Sequence, residues 1–133
     1  MALAKLKEAI GKEGFFLELD LADLKSVKQA AEEFLVTWEK LGEFTSYTCQ
    51  WCHDSPLDQF TVQGYDLQFG TNTLGRYYFT MLLLPALQRT TGTNMTGKKA
   101  RVINGSSIGH IDAPIEIPWN VLKAGSEDSK LKG

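Results

Sequence analysis

The sequence has no block of lysine or arginine, no apolar run long enough to cross a bilayer, and only two cysteines, Cys49 and Cys52. A nucleic-acid footprint normally shows as a basic face or a basic run, and a formal net charge of −2 on 133 residues offers neither. Nucleic acid is therefore not expected as a partner. A membrane-spanning helix needs ~20 consecutive apolar residues; none occur here, and Met1–Gly14 is lysine-rich and amphipathic without the apolar centre of a signal peptide. These absences point to a cytoplasmic protein with no membrane span. Asn94-Met95-Thr96 and Asn104-Gly105-Ser106 match the glycosylation sequon, which has no consequence without export. There is no internal repeat, and the length suits one domain, residues 1–133, able to bury roughly two-thirds of its extended surface.

What is present is alternation of strand-like and helix-like patterns. Leu3, Leu6, Ala9 and Ile10 keep helical spacing up to Gly11 and Gly14, which suit a helix end and turn. Phe15 to Leu19 then reads as a strand. Asp23 can cap a second helix whose buried face holds Val27, Ala30, Ala31, Phe34 and Leu35. Strand followed by helix implies a crossover unit of an α/β fold. Tyr65 to Leu87 is apolar on nearly all sides, as in a helix packed between a sheet and another surface, and Val102-Ile103 forms the centre of a further strand. The Gly/Thr-rich stretch Thr90–Gly97, with Lys98 and Lys99, marks the loop between them; a loop is predicted from Ile108 onward, with a disordered tail over 126–133.

The most informative segment is Gly64-Tyr65-Asp66-Leu67-Gln68-Phe69-Gly70-Thr71-Asn72-Thr73-Leu74-Gly75, running into Leu82-Leu83-Leu84-Pro85 and followed by Ala100-Arg101-Val102-Ile103-Asn104-Gly105-Ser106-Ser107. A polar Asn in a buried helix, then a short strand ending in paired serines, is how an open α/β sheet presents a catalytic edge. With Phe15-Phe16-Leu17-Glu18-Leu19-Asp20-Leu21-Ala22-Asp23 upstream, these segments resemble, in order, the short-chain dehydrogenase/reductase family, most closely its fungal retinol-dehydrogenase-like branch. The resemblance runs from the first helix to Leu122. It implies an incomplete Rossmann-like fold, a doubly wound parallel sheet in three αβα layers.

Family members open with a strand and a Gly-rich turn whose amides meet the cofactor pyrophosphate, and no such glycine spacing occurs here. They also carry a Tyr-Xaa-Xaa-Xaa-Lys pair beyond the serines, whereas no tyrosine follows Ser107. Measured against that pattern, the chain is expected to start too late and end too early.

Between Trp38 and Pro56 the resemblance breaks. The family has its central strand there, ending Asn-Asn-Ala-Gly and often continuing Val-Met; this chain reads Gly42-Glu43-Phe44-Thr45-Ser46-Tyr47-Thr48-Cys49-Gln50-Trp51-Cys52-His53-Asp54-Ser55. Reading the codons of Trp51 to Ser55 one base later gives Gly, then Val or Ala, Met or Thr, and Ile or Thr. That matches the family text, so residues 42–55 are read as the product of a local frameshift or misplaced splice junction. Cys49-Gln50-Trp51-Cys52-His53 also has the spacing of c-type haem attachment with His53 as axial ligand. Attachment needs an exported chain and a second ligand, and the surroundings are dehydrogenase-like. A thioredoxin-like strand is missing ahead of the cysteines, and Cys49, Cys52, His53 and His110 do not have a structural zinc spacing, so no metal is predicted. Gly92 to Lys99 approaches a P-loop, but Lys99 replaces the magnesium-holding Ser or Thr, and the segment joins helix to strand instead of strand to helix. It reads as a surface loop.

The resemblance implies hydride transfer between NAD or NADP and an alcohol or carbonyl substrate. Ser107 matches the serine that holds the substrate oxygen, and Asn72 the asparagine that orders a proton-relay water. Asp20 matches the residue that contacts the adenine, with Leu21 beside it. The bland roles of these residues are a strand-end turn serine for Ser107, helix-interior hydrogen bonding for Asn72, and a turn residue for Asp20. Arg76 stands where the closest branch usually has His, and Gly105 where a larger residue is common. Lacking the Gly-rich turn and the Tyr/Lys pair, the chain alone is expected to be inactive, to bind no cofactor detectably, and to be poorly soluble through unpaired sheet edges. A homo-oligomer is compatible with the apolar helix. Two other classes remain open: a non-catalytic protein that pairs with a full-length relative through Tyr77-Tyr78-Phe79, and a haem or thiol protein built on Cys49 and Cys52.

Overall fold

A computed structural model describes residues 2–11, 14–37, 59–93, 102, 104, 111, 115–117 and 119–124. In chain order these hold α1 (Ala2–Ile10), α2 (Leu24–Thr37), α3 (Leu67–Phe69), a π-helical stretch (Gly70–Gly75), α4 (Arg76–Thr93) and a 3-10 turn (Trp119–Val121). The backbone stays right-handed helical across both junctions, at Phe69, Gly70 and Arg76. The three central pieces therefore form one uninterrupted rod.

The end signals act as their chemistry demands. Gly11 follows α1 with φ 67°, a conformation only glycine adopts without strain. Asp23 caps α2 by accepting the Lys25 amide at 3.0 Å on Oδ1. At the next helix start Asp66 does the same for the Phe69 amide at 2.9 Å.

The core lies between α2 and α4. Val27, Ala30 and Ala31 on α2 meet Phe79 and Leu83 on α4, with Phe34, Leu35, Tyr78 and Leu82 packed at the edge. This is the α2 face expected from helical periodicity. Small alanines let the two helices approach, and the fully buried Leu83 and Val27 fill the contact, each worth about 1.5–3 kcal/mol of burial. Ala86 and Leu87 extend the contact toward the end of α4.

Several expectations need correction. Among the described residues there is no β-sheet, so the doubly wound parallel sheet is not seen there. Phe15–Leu19 runs without regular structure, although its burial alternates as a strand's would: Leu17 and Leu19 turn onto the core while Glu18 stays exposed. A strand exists only by pairing, and among the described residues the β-bridges are Phe60 to Asp66 and Tyr65 to Lys123, away from this segment. Phe15 and Phe16 are accordingly left exposed, Phe16 at 75%. Val102 is also outside any strand. Residues 90–93, read as loop, continue α4. The Tyr77-Tyr78-Phe79 face does not exist as one surface: Phe79 is in the core and Tyr78 packs against it, leaving Tyr77 exposed at 64%. Successive residues on a helix point about 100° apart, which is why three in a row cannot share a face. The segment 42–55, Cys49, Cys52, His53, Ser107, His110 and the tail over 126–133 lie outside the described residues.

Candidate functional site

The entry to the central rod is built by a turn that folds back on itself. The Gly64 amide donates to the Thr61 carbonyl at 2.8 Å, and Gly64 takes φ 77°. Thr61 then binds Tyr65 twice: its amide donates to the Tyr65 carbonyl at 2.8 Å, and its Oγ1 accepts the Tyr65 amide at 3.0 Å. The C-terminal segment closes over this turn through Ala124 N–H to the Gly64 carbonyl at 2.7 Å and Asp66 N–H to the Leu122 carbonyl at 2.9 Å. Above it, Trp119 meets Phe69 edge to face at 6.1 Å.

Asn72 lies inside the π-helical stretch. A π turn widens the helix and frees backbone groups from the regular ladder, and such turns concentrate at functional positions. The stretch is marked by two glycines that let other chain segments touch the helix backbone. A Cβ at Gly70 would collide with the Thr61 methyl Cγ2, and one at Gly75 with the Leu21 carbonyl oxygen. Thr71 turns its hydroxyl inward to the Leu67 carbonyl at 2.6 Å. Arg76, one turn beyond Asn72, directs Nη2 toward Asn72 Oδ1 at 3.4 Å, a long contact.

The Asp20–Asp23 turn is seated against this rod. Asp20 Oδ1 accepts the Ala22 amide at 2.8 Å, and the Asp20 amide donates to Ser26 Oγ at 3.0 Å. The Val62 amide donates to the Ala22 carbonyl at 3.0 Å. Gln63 adds two bonds across the same seam: its Oε1 accepts the Leu24 amide at 3.2 Å and its Nε2 donates to Asp23 Oδ1 at 2.7 Å. The Gln63 bond, then the Lys25 amide, hold the Asp23 carboxyl below the usual carboxylate range because both donate to its charged form.

The structure thus brings the Leu21 backbone onto the helix that carries Asn72, with Gly75 as the point of contact, and Asp20 is the exposed residue next to it. Gly75 and Gln63 were not among the residues singled out from sequence. Two glycines inside a helical pattern, each costing about 1 kcal/mol against alanine, were an available signal for close backbone approach. Gln63 carried no signal, because its partners lie about forty positions away. Among the described residues no cluster of three metal-ligating side chains occurs, and no helix is long and apolar enough to cross a membrane.

Known proteins match most of the chain. It is 44% identical over 129 residues to a short-chain dehydrogenase/reductase of Armillaria gallica, covering 97% of this chain and 40% of that protein. The chain belongs to the short-chain dehydrogenase/reductase family. An uncharacterized oxidoreductase of Schizosaccharomyces pombe is 41% identical over 99 residues, 74% of this chain and 28% of its own length. Mouse retinol dehydrogenase 12 is 36% identical over 95 residues, 71% of this chain and 27% of its own length. This short-chain dehydrogenase/reductase chain spans 40% or less of the length of each of these relatives. No family profile matches it, and no solved structure does.

Proposed function

We propose that the chain is part of an NAD(P)-dependent oxidoreductase of Rossmann-like fold that moves a hydride between nicotinamide and an alcohol or ketone carbon. The observation that carries the reading is the seating of the Asp20–Leu21 turn on Gly75, one turn of helix from Asn72. That contact supports the reading because the resemblance matches Asp20 to adenine contact and Asn72 to the proton relay, and Leu21 and Gly75 join the segments that carry them.

The residues present fit a dinucleotide on the adenine side. Asp20 is exposed and offers a carboxylate to an exocyclic amine, while Leu21 beside it is half-buried and holds the turn to the helix. The nicotinamide, when bound, supplies or accepts the hydride. Asn72 orders a water in the proton path, its amide able both to donate and to accept. Ser107 holds the substrate oxygen. The 133 residues contain neither a Gly-Xaa-Gly-Xaa-Xaa-Gly turn nor a tyrosine after Ser107. We therefore expect no tight dinucleotide binding and no turnover from these residues alone.

The test uses the protein encoded by the complete transcript. It should oxidise or reduce NAD(P)(H) with an alcohol or carbonyl partner. Asn72→Ala should lower kcat by roughly 100-fold at unchanged cofactor affinity, and Asp20→Ala should raise the cofactor KM. A product that binds no nicotinamide dinucleotide would sink the reading.

A further inference from the structure

We propose that Gln63 is a positioning residue of this site, whose side-chain amide locks the Asp20–Asp23 turn onto the rod that carries Asn72. The inference rests on the assignment of Asp20 and Leu21 to the cofactor made above.

The turn is internally braced by the Asp20 carboxylate and by Ser26, both within the 20–26 segment. Those bonds give the turn its shape and say nothing about where it sits. Its placement relative to Asn72 depends on contacts that cross to the other segment. Among the described residues these include the Val62 amide, the Leu21 contact at Gly75, the packing of the Leu21 side chain against the α2–α4 core, and the two Gln63 bonds, which alone join side chain to turn by polar contact.

Gln63 is suited to this in a way few side chains are. The Leu24 amide is only a donor and the Asp23 carboxylate only an acceptor, so the carbonyl end of Gln63 must face the first and the NH₂ end the second. A side chain that only donates or only accepts satisfies one of the two. Among the described residues, the charged group that acts on Asp23 is Lys25 on the same helix. The amide works as a two-pronged key between the start of α2 and the Thr61–Gly64 turn, and the Leu21 carbonyl on Gly75 follows that placement.

The experiment is residue-resolved NMR on the full chain without ligand, comparing wild type, Gln63→Ala and Gln63→Glu. In Gln63→Ala, exchange of the Leu24 amide should accelerate about tenfold, the Leu21 and Ala22 resonances should shift, and the Asp23 carboxyl should titrate at higher pH. Amides of Val27 and Ala31 should keep their protection. Gln63→Glu separates positioning from mere packing. While the two carboxyls share one proton, the neutral one can donate to the ionised one and its carbonyl can accept the Leu24 amide, which restores the wild-type pattern; at neutral pH, with both ionised, the carboxylates repel and the turn should behave as in Gln63→Ala.

An unchanged turn in Gln63→Ala, or a Gln63→Glu chain with no pH dependence at Leu21 and Leu24, would overturn the proposal. So would a uniform loss of protection that includes Val27 and Ala31. These readings need no cofactor, and the Asp20→Ala experiment decides the cofactor assignment separately.

Discussion

Gly75 is where the account makes its most exposed claim. Replacing it by alanine changes one hydrogen into a methyl in the interior of a continuous helical rod. Away from neighbours, that change stabilises a helix by about 0.5–1 kcal/mol, since glycine has more backbone freedom to lose. Here the new Cβ runs into the Leu21 carbonyl oxygen, with the Leu21 carbonyl carbon at 3.2 Å and the Gly70 carbonyl oxygen at 3.3 Å. All three obstacles are backbone atoms, so no side chain can rotate away. Either the Asp20–Asp23 turn lifts off the rod or the π stretch rewinds, and overpacking of this kind costs about 1–3 kcal/mol. Subtracting the propensity gain leaves Gly75→Ala less stable by up to about 2.5 kcal/mol. Urea unfolding followed by far-UV circular dichroism measures this as a lower midpoint at unchanged slope. A midpoint at or above the wild type would mean that the helix does not press on Leu21, and the seating of the Asp20–Asp23 turn would fall with it.

Gly70→Ala should also destabilise, but its obstacle is the Thr61 methyl; Thr61→Ser removes that methyl and keeps the Oγ that accepts the Tyr65 amide, so the double variant should recover most of the loss in the same urea assay. Leu83→Ala empties a site that is 1% exposed between α2 and α4 and should cost about 2–5 kcal/mol, read as a lower melting temperature. Asp23 has its pKa depressed in the folded chain by Gln63 and the Lys25 amide. Its contribution to stability is therefore full above the unfolded carboxyl value and is lost as pH falls through the folded one. Acid unfolding curves below about pH 4 should flatten in Gln63→Ala relative to wild type.

How much of this was legible in the sequence differs by element. The α2 face was readable because Val27, Ala30, Ala31, Phe34 and Leu35 repeat with the helix, and Asp23 was readable as a cap because capping is local. Phe15–Leu19 reads as a strand from its apolar residues, and its burial alternates over 16–19, yet a strand also requires a partner, and pairing is a property of two segments. Inside the long helix, apolar residues on nearly all sides hid which face is buried, so Tyr77, Tyr78 and Phe79 were read together. The π stretch and the Gln63 clamp were not legible, since each depends on what approaches from elsewhere in the chain. Asn72, Asp20 and Leu21 were picked out by resemblance, and their proximity through Gly75 came from the fold.

Sequencing the full-length transcript tests most directly the proposal that these residues are part of a hydride-transferring enzyme of the short-chain dehydrogenase/reductase family. The account predicts one frame that continues into a Gly-rich turn upstream and a Tyr-Xaa-Xaa-Xaa-Lys pair downstream, with an Asn-Asn-Ala-Gly strand in place of residues 42–55. A transcript that encodes only these 133 residues in the present frame would contradict it.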